Sequence, residues 1–395
     1  MNRHVIFSIV AFGFIVIATI IFILYGKGYR FGFDGKKIEL SGTGLLVAKS
    51  VPDGAQVFLN DNLTTATNNT INLSPKEYRV KIFKEGYFPW EKTIKIQKEV
   101  VSKAEALLFP TAPKLESITD VGVSSMVIDP SHTKIAFTVA SESARRNGIY
   151  VLDMTSRPIL TLQSAYTQIS DDTFAILSGA DLSWSPDGRE IIATVSAQAG
   201  DITYLLDAGS FNSSPTNITA LLDTISANFE TEKRQAEQAR ISSLSKNLRP
   251  FVNSNFQIIS WSPDETKILY KATDSAKMPI FITPRIIGAN STPEERNVEK
   301  DEFYIYDIKE DRNYKLNKET FDEHFIWFPD SRHIIFVKDQ KLQVMEYDGG
   351  NLTVLYAGPF IGTYAFPWPD GSRIVILSNL GNSNIVPRIY TVGIR

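Results

Sequence analysis

One line is written three times along this chain with small changes: "WSPDGREIIA" at residues 184–193, "WSPDETKILY" at 261–270 and "WFPDSRHIIF" at 327–336. Looser copies read "IDPSHTKIAF" at 128–137 and "PWPDGSRIVI" at 367–376. A turn repeated together with its flanking strand repeats a structural unit, and such a unit must stack on its neighbours to bury its apolar faces. Aligned on Pro130, Pro186, Pro263, Pro329 and Pro369, the copies hold an isoleucine five residues on: Ile135, Ile191, Ile268, Ile334 and Ile374. Two residues before the proline stand Ile128, Trp184, Trp261 and Trp327, whereas the fifth copy has Trp368 one residue before it.

Proline suits position i+1 of a type I turn and glycine position i+3, as Gly188 and Gly371 do; Glu265 and Ser331 fill that place in two other copies. The strands after the turn, "IIATV", "ILY", "IIFV" and "IVIL", are apolar throughout, the pattern of a strand covered on both faces. A third strand follows at 149–153, 203–207, 303–307, 342–348 and 388–392, and a fourth at 158–162, 217–222, 313–316 and 351–356. Four strands per repeat, at a shortest spacing of 40 residues from Pro329 to Pro369, predict the blades of a β-propeller: five, with six as the alternative count. The fifth copy lacks a fourth strand. "KLESIT" (114–119) has the length and pattern to supply it, which would remove an exposed sheet edge. The tryptophan of "WSPD" is expected to act as a spacer between blades, with its N–H finding a partner.

These residues resemble the "WSPDG-x-x-I" repeat of the TolB-like propeller group over about 113–395. The resemblance implies an architecture and leaves function open, since one fold hosts many functions.

The spacing between the second and third copies is long. It contains "DTISANFETEKRQAEQARISSLSKNL" (223–248), which reads as a helical insertion capped by Asp223. Ile225, Phe229, Ala236, Leu244 and Leu248 fall on one face, and Glu230 and Arg234 form an i,i+4 pair. The helix either packs on the propeller rim or serves as a partner-docking arm. A second insert, about 274–300, is rich in proline and charge and reads as a loop.

At the N-terminus, Val5 to Tyr25 carries no charged residue, and a bilayer core is crossed by a helix of ~20 apolar residues. Tyr25, Tyr29 and Phe31 suit the interfacial aromatic belt. The run ends without the small-residue pattern of a cleavage site, so residues 5–25 read as an uncleaved anchor rather than a signal peptide. Residues 26–42 read as a polar stalk. Lys27, Arg30, Lys36 and Lys37 after the span, against Arg3 before it, place the C-terminal side in the cytoplasm by charge. Long domains translocate regardless of that bias.

From Gly44 the pattern alternates with period two: "GLLVAKS" (44–50), "AQVFLN" (55–60), "YRVKIFK" (78–84) and "KTIKIQK" (92–98), with a turn at Pro52-Asp53-Gly54. Four or five such strands make a small β-sandwich. Residues 43–109 resemble the PEGA domain: Pro52-Asp53-Gly54-Ala55 stands at its naming motif, and "NLSPKEYRVKIFKEGY" matches its closing segment, ending in Gly86-Tyr87. Lys76 replaces the usual glycine, and "TTATNN" replaces the Gly-x-Thr-Pro after the second strand. The resemblance implies a surface-associated module, often envelope-facing, without enzymatic activity. "LLFPTAPKLESIT" (107–119) links it to the repeats.

Signals for chemistry are sparse. The net charge of −3 argues against nucleic acid, and the absence of cysteine excludes disulfides, thiolate metal sites and a cysteine nucleophile. No P-loop, dinucleotide glycine motif or nucleophile elbow is present. His132 falls in a turn. His324 and His333 flank one hairpin whose register sets His333 opposite Phe328 and His324 opposite Val337, so the two do not pair. "DEH" at 322–324 reads as a charged loop. Of the aromatics in "GYFPWEK" (86–92), Tyr87 reads as sandwich core, while Phe88 and Trp90 either pack on the propeller or contact a partner. The sequence thus predicts an all-β chain with a membrane anchor at 5–25, a sandwich at 43–109 and a propeller at 113–395. The expected role is an extracytoplasmic binding or scaffold protein for a protein or envelope polymer, with no cofactor or metal and no catalysis. A sensor or accessory subunit of a transport complex would need an exposed apolar helix face, and a propeller-funnel hydrolase would need two converging carboxylates.

Overall fold

A computed structural model describes residues 3–26, 30–34, 37–155, 166–198, 200–317 and 325–394. The chain divides into two compact units, Met1–Thr111 with Ile282–Glu294, and Ala112–Phe281 with Glu295–Arg395. Strand dominates both.

The first unit opens with helix α1, Arg3–Gly26. Its side chains are described for residues 7–23. Among the described residues no helix is long and apolar enough to cross a membrane. Within the segment read as a stalk, two short strands are described. Arg30–Asp34 pairs antiparallel with Lys37–Ser41, setting Phe31 opposite Leu40.

The sandwich has seven strands in two sheets. Gln56–Leu59, Asn62–Ala66, Glu77–Phe83 and Trp90–Lys95 form one; Asn69–Leu73, Gly44–Val51 and Val101–Leu107 form the other. Period-two alternation points Leu46, Ala48, Val57, Tyr78, Val80 and Ile82 into the shared core. Gly44–Val51 pairs in parallel with Val101–Leu107, Leu45 opposite Val101, a strand that was not expected.

Among its described residues the second unit holds five four-stranded antiparallel sheets. Sheet I is Ser125–Ile128, Lys134–Val139, Gly148–Asp153 and Tyr166–Asp171. Sheet II is Asp181–Trp184, Glu190–Val195, Ile202–Asp207 and Thr216–Asn217. Sheet III is Phe256–Trp261, Lys267–Ala272, Phe303–Asp307 and Arg312–Lys315, and sheet IV is Ile326–Trp327, His333–Lys338, Lys341–Glu346 and Thr353–Ala357. Sheet V takes Ala365–Pro367, Arg373–Ser378 and Arg388–Gly393, and its outer strand is Leu115–Ser117, with Leu115 opposite Val392 and Ser117 opposite Tyr390. The segment ahead of the first repeat closes the last, as its pattern suggested. The strand expected at 158–162 lies outside the described residues; Tyr166–Asp171 is the fourth strand of sheet I.

Each second strand is covered on both faces, and the five aligned isoleucines are all 0% exposed. Period two then assigns neighbours. Ile135, Phe137 and Val139 of sheet I join Val375 and Leu377 of sheet V, while Ala136 on the opposite face joins Ile191 and Ala193 of sheet II. Leu269 and Ile305 of sheet III join Ile334 and Phe336 of sheet IV. Strand Ala365–Pro367 of sheet V packs on the first two strands of sheet IV. The packed order is therefore II, I, V, IV, III.

The other face of sheet III meets the insertion. Helix α2 runs Leu222–Ser243 and helix α3 Arg249–Asn255, so the single helix expected over 223–248 is broken. Pro250 falls in the first turn of α3, where its missing N–H costs nothing. Ile241, Leu244, Leu248 and Val252 pack on Ile268, Tyr270 and Tyr306. Two local expectations are corrected. Asp223 lies inside the first turn, with Leu221 at the cap position, and Glu230 pairs with Lys233 at 2.8 Å rather than with Arg234. Ala236 is exposed, off the face that half-buries Ile225 and Phe229. The insert at 274–300 is mostly loop, pinned by Ala276–Lys277 against Asn297–Val298.

Candidate functional site

The five motif turns share one geometry, which the motif residues build. The residue after proline-x donates its amide back three positions: His132 to Asp129, Gly188 to Ser185, Glu265 to Ser262, Ser331 to Phe328 and Gly371 to Trp368, at 2.7–3.0 Å. All five sit in the left-handed region, with φ of 57°, 67°, 54°, 58° and 66°. Gly188 and Gly371 adopt it freely, whereas His132, Glu265 and Ser331 do so at a steric cost. The aspartate of the motif locks the turn, because Oδ1 of Asp187, Asp264, Asp330 and Asp370 accepts the amide two residues on at 2.8–3.1 Å. The serine of "WSPD" braces that carboxylate: Ser185 and Ser262 donate to Asp187 and Asp264 at 2.7 and 2.8 Å. In the first copy Asp129 takes the role, accepting the amides of Thr133 and Lys134 at 2.6 Å each.

The tryptophans reach backwards. Trp184 Nε1 of sheet II donates to the Val127 carbonyl of sheet I at 3.1 Å, and Trp327 Nε1 of sheet IV to Ser260 Oγ of sheet III at 3.1 Å. Trp261 of sheet III differs, since its Nε1 meets both carboxylate oxygens of Glu237 on α2 at 3.2 and 3.3 Å. Arg240, three residues on, reaches Glu265 of the sheet III turn at 2.9 Å.

Four of these five turns converge on a cleft of about 600 Å³; the turn of sheet II does not reach it. Sheet I supplies Pro130, Ser131 and His132; sheet IV supplies Phe325, Trp327 and Pro329; sheet V supplies Pro367 and Pro369. Sheet III contributes Ile258 to Pro263 and Glu265, and α2 contributes Glu237 and Arg240. A register shift between Ile258 and Ser260 leaves Ile259 as the bulged residue on the cleft wall, 40% exposed. Bulges re-aim side chains in this way. Two of the three non-glycine residues in the left-handed turn position, His132 and Glu265, lie on this cleft, while the third, Ser331, receives the Asp264 amide at 3.0 Å.

The polar groups differ in setting. Crowding by the cleft walls pushes the His132 imidazole below its ordinary pKa, and the Asp129 charge only partly offsets this. His333 is buried, with Nδ1 2.6 Å from Asp330. Burial pushes the Asp330 carboxyl up, but the charge and hydrogen bond of His333, with the amides of Arg332 and His333, outweigh it and hold the group below its usual range. Ile326 opposite Ile335 and Trp327 opposite Ile334 give the register expected for this hairpin. His324 and the 322–324 cluster lie outside the described residues, as does the side chain of His4. Among the described residues no three His, Asp or Glu side chains group to hold a metal.

Trp90, expected as a packing or partner contact, is 4% exposed within the sandwich core; its alternation with Ile94 points it inward, so it offers no contact surface. Phe88 is half-buried, its amide donating to the Phe109 carbonyl at 2.8 Å, and Tyr87 packs on the sandwich core. Neither residue lines the cleft. Glu237, Arg240, Ile259 and Phe325 do, and sequence reasoning passed over them. The signal for them was indirect: equivalent prolines at the same point of every repeat must gather at one end of a stack.

Residues 43–111 match the family model of the PEGA domain. The PEGA match covers both sheets of the sandwich and runs slightly past the boundary at 109 expected from the pattern. Among solved structures, a TolB candidate from Agrobacterium tumefaciens is 13% identical with a TM-score of 0.23, over 67% of this chain and 76% of that one. TolB from Acinetobacter baumannii is 16% identical with a TM-score of 0.25, over 81% and 60%. An acylaminoacyl peptidase from Pyrococcus horikoshii is 13% identical with a TM-score of 0.19, over 70% and 39%. No curated protein sequence matches the chain.

Proposed function

We propose that the chain is a membrane-held binding protein whose five sheets form a five-bladed propeller, closed by Leu115–Ser117, and whose cleft docks a partner protein. The observation that carries this reading is the convergence of four of the five motif turns, with two tryptophans and a bulged isoleucine, on one cleft. A concave site that mixes aromatic and prolyl faces with placed polar groups suits binding. The helical insertion stands at the junction of sheets II and III and lends the cleft Glu237 and Arg240. The exposed side of α2 is polar, which speaks against an apolar docking arm. The reading involves no catalysis: Glu237 and Glu265 both reach the cleft, but one is engaged by an indole N–H and the other by a guanidinium.

The anchor rests on the uncharged run Val5–Tyr25 within a helix of 24 residues, about 36 Å at ~1.5 Å per residue. Phe7, Phe12 and Phe22 on it are 76%, 69% and 77% exposed, a face that lipid would cover. The PEGA match supports an envelope setting with the bulk outside the cytoplasm. Protease added to intact cells should degrade residues 27–395; protection would reverse the orientation.

A photo-crosslinking residue placed at Ile259 should yield a discrete adduct in cells. The same residue at Leu352, 48% exposed in the loop ahead of Thr353–Ala357 and outside the cleft lining, should not. Adducts at neither position, or at both alike, would overturn the cleft as the docking site.

A further inference from the structure

The cleft carries an imbalance of charge. Two carboxylates, Glu237 and Glu265, reach it against one guanidinium, Arg240. Arg240 is committed to Glu265 at 2.9 Å. Glu237 has only the Trp261 indole N–H and no cationic partner among the described residues. At His132 the loss of surrounding water lowers the pKa, which disfavours a positive charge there. Beside these charges lie the rings of Trp261 and Phe325 and the faces of Pro263, Pro329 and Pro369, interleaved with Ser131, Ser260 and Ser262. A carboxylate beside aromatic and prolyl walls suits a cation carried on an apolar stem. A cleft of about 600 Å³ exceeds what one side chain needs and leaves room for the flanking backbone.

We propose, building on the docking role above, that the cleft receives a lysine or arginine side chain from an extended segment of a partner protein, with Glu237 as the principal counter-ion and Glu265 as the second. The methylenes of that side chain lie along Trp261 and Phe325, and prolines in the segment would stack on those of the cleft.

The probe is a capped pentapeptide with arginine at its centre flanked by prolines, titrated calorimetrically into the detergent-solubilised full chain. A glutamine-centred analogue and spermidine serve as comparators. The arginine peptide should bind saturably, and the glutamine analogue about 10-fold or more weakly, as expected for loss of a charge-assisted contact. Glu237→Gln should weaken the arginine peptide by about the same factor. Because that change also touches the α2 contact, Glu265→Gln is the second variant and should weaken it several-fold. Equal binding of both peptides, insensitivity to both variants, or spermidine binding as tightly as the arginine peptide would overturn the proposal. Adducts at position 259 together with any of those results would sink only the charge preference. No adduct at 259 would sink the docking role itself.

Discussion

His132 adopts a φ of 57° with no side-chain hydrogen bond, in a position where two sister turns carry glycine. A left-handed L-residue costs ~1–2 kcal/mol, and glycine's extra unfolded-state freedom returns part of that. His132→Gly should therefore stabilise the fold by about 0.5–1 kcal/mol in urea unfolding, while reducing crosslinking from position 259. Asp330 makes the opposite case. Its carboxylate serves His333 and two amides and is held below the ordinary range, so the stability it contributes is present above about pH 4 and lost as pH falls through its folded pKa. Asp330→Ala should cost about 1–3 kcal/mol at pH 7, and the difference from wild type should shrink toward pH 3. Both roles were partly legible. The aligned prolines located the turns, but a turn read as type I hides the handedness of its last residue, which became visible only because five copies agree in the structure.

At the scale of elements, the tryptophans separate two kinds of junction. Trp184 and Trp327 tie one sheet to the sheet before it, and Trp261 ties sheet III to α2. Trp327→Ala removes a side chain only 4% exposed and should cost ~3–5 kcal/mol, read as a lower melting temperature. Trp261→Ala should instead leave the melt nearly in place and raise hydrogen exchange along α2, whose remaining anchorage lies in its last turn at Ile241. Equal effects in both variants would contradict the distinction. Second and third strands were legible because each reads as an apolar run of the right length. Val101–Leu107 was not, because its inward residues are Ser102, Ala104 and Ala106, too small to mark a period. The break after Ser243 was also hidden, since the apolar spacing continues through Leu244 and Leu248 while the backbone turns extended at Leu244.

At the scale of the molecule, the second unit depends on pairing its first strand with its last. Glu116→Pro places a residue without an amide proton in the middle of Leu115–Ser117 and should lower the melting temperature by several degrees. It should also expose the edge of Arg388–Gly393 and promote association, seen as increased light scattering. An unchanged melt and a clean monomer would show that sheet V does not need its outer strand. The repeat foretold this closure, but the cleft arises from elements far apart in sequence, and no single window of the chain contains it. One consequence concerns synthesis. Thr119 Oγ1 accepts the amide of Ile389 at 3.1 Å across 270 positions of chain. The segment that completes sheet V leaves the ribosome early and waits for a mate made much later, so a nascent chain halted between them carries an unmet edge for chaperones and proteases to find.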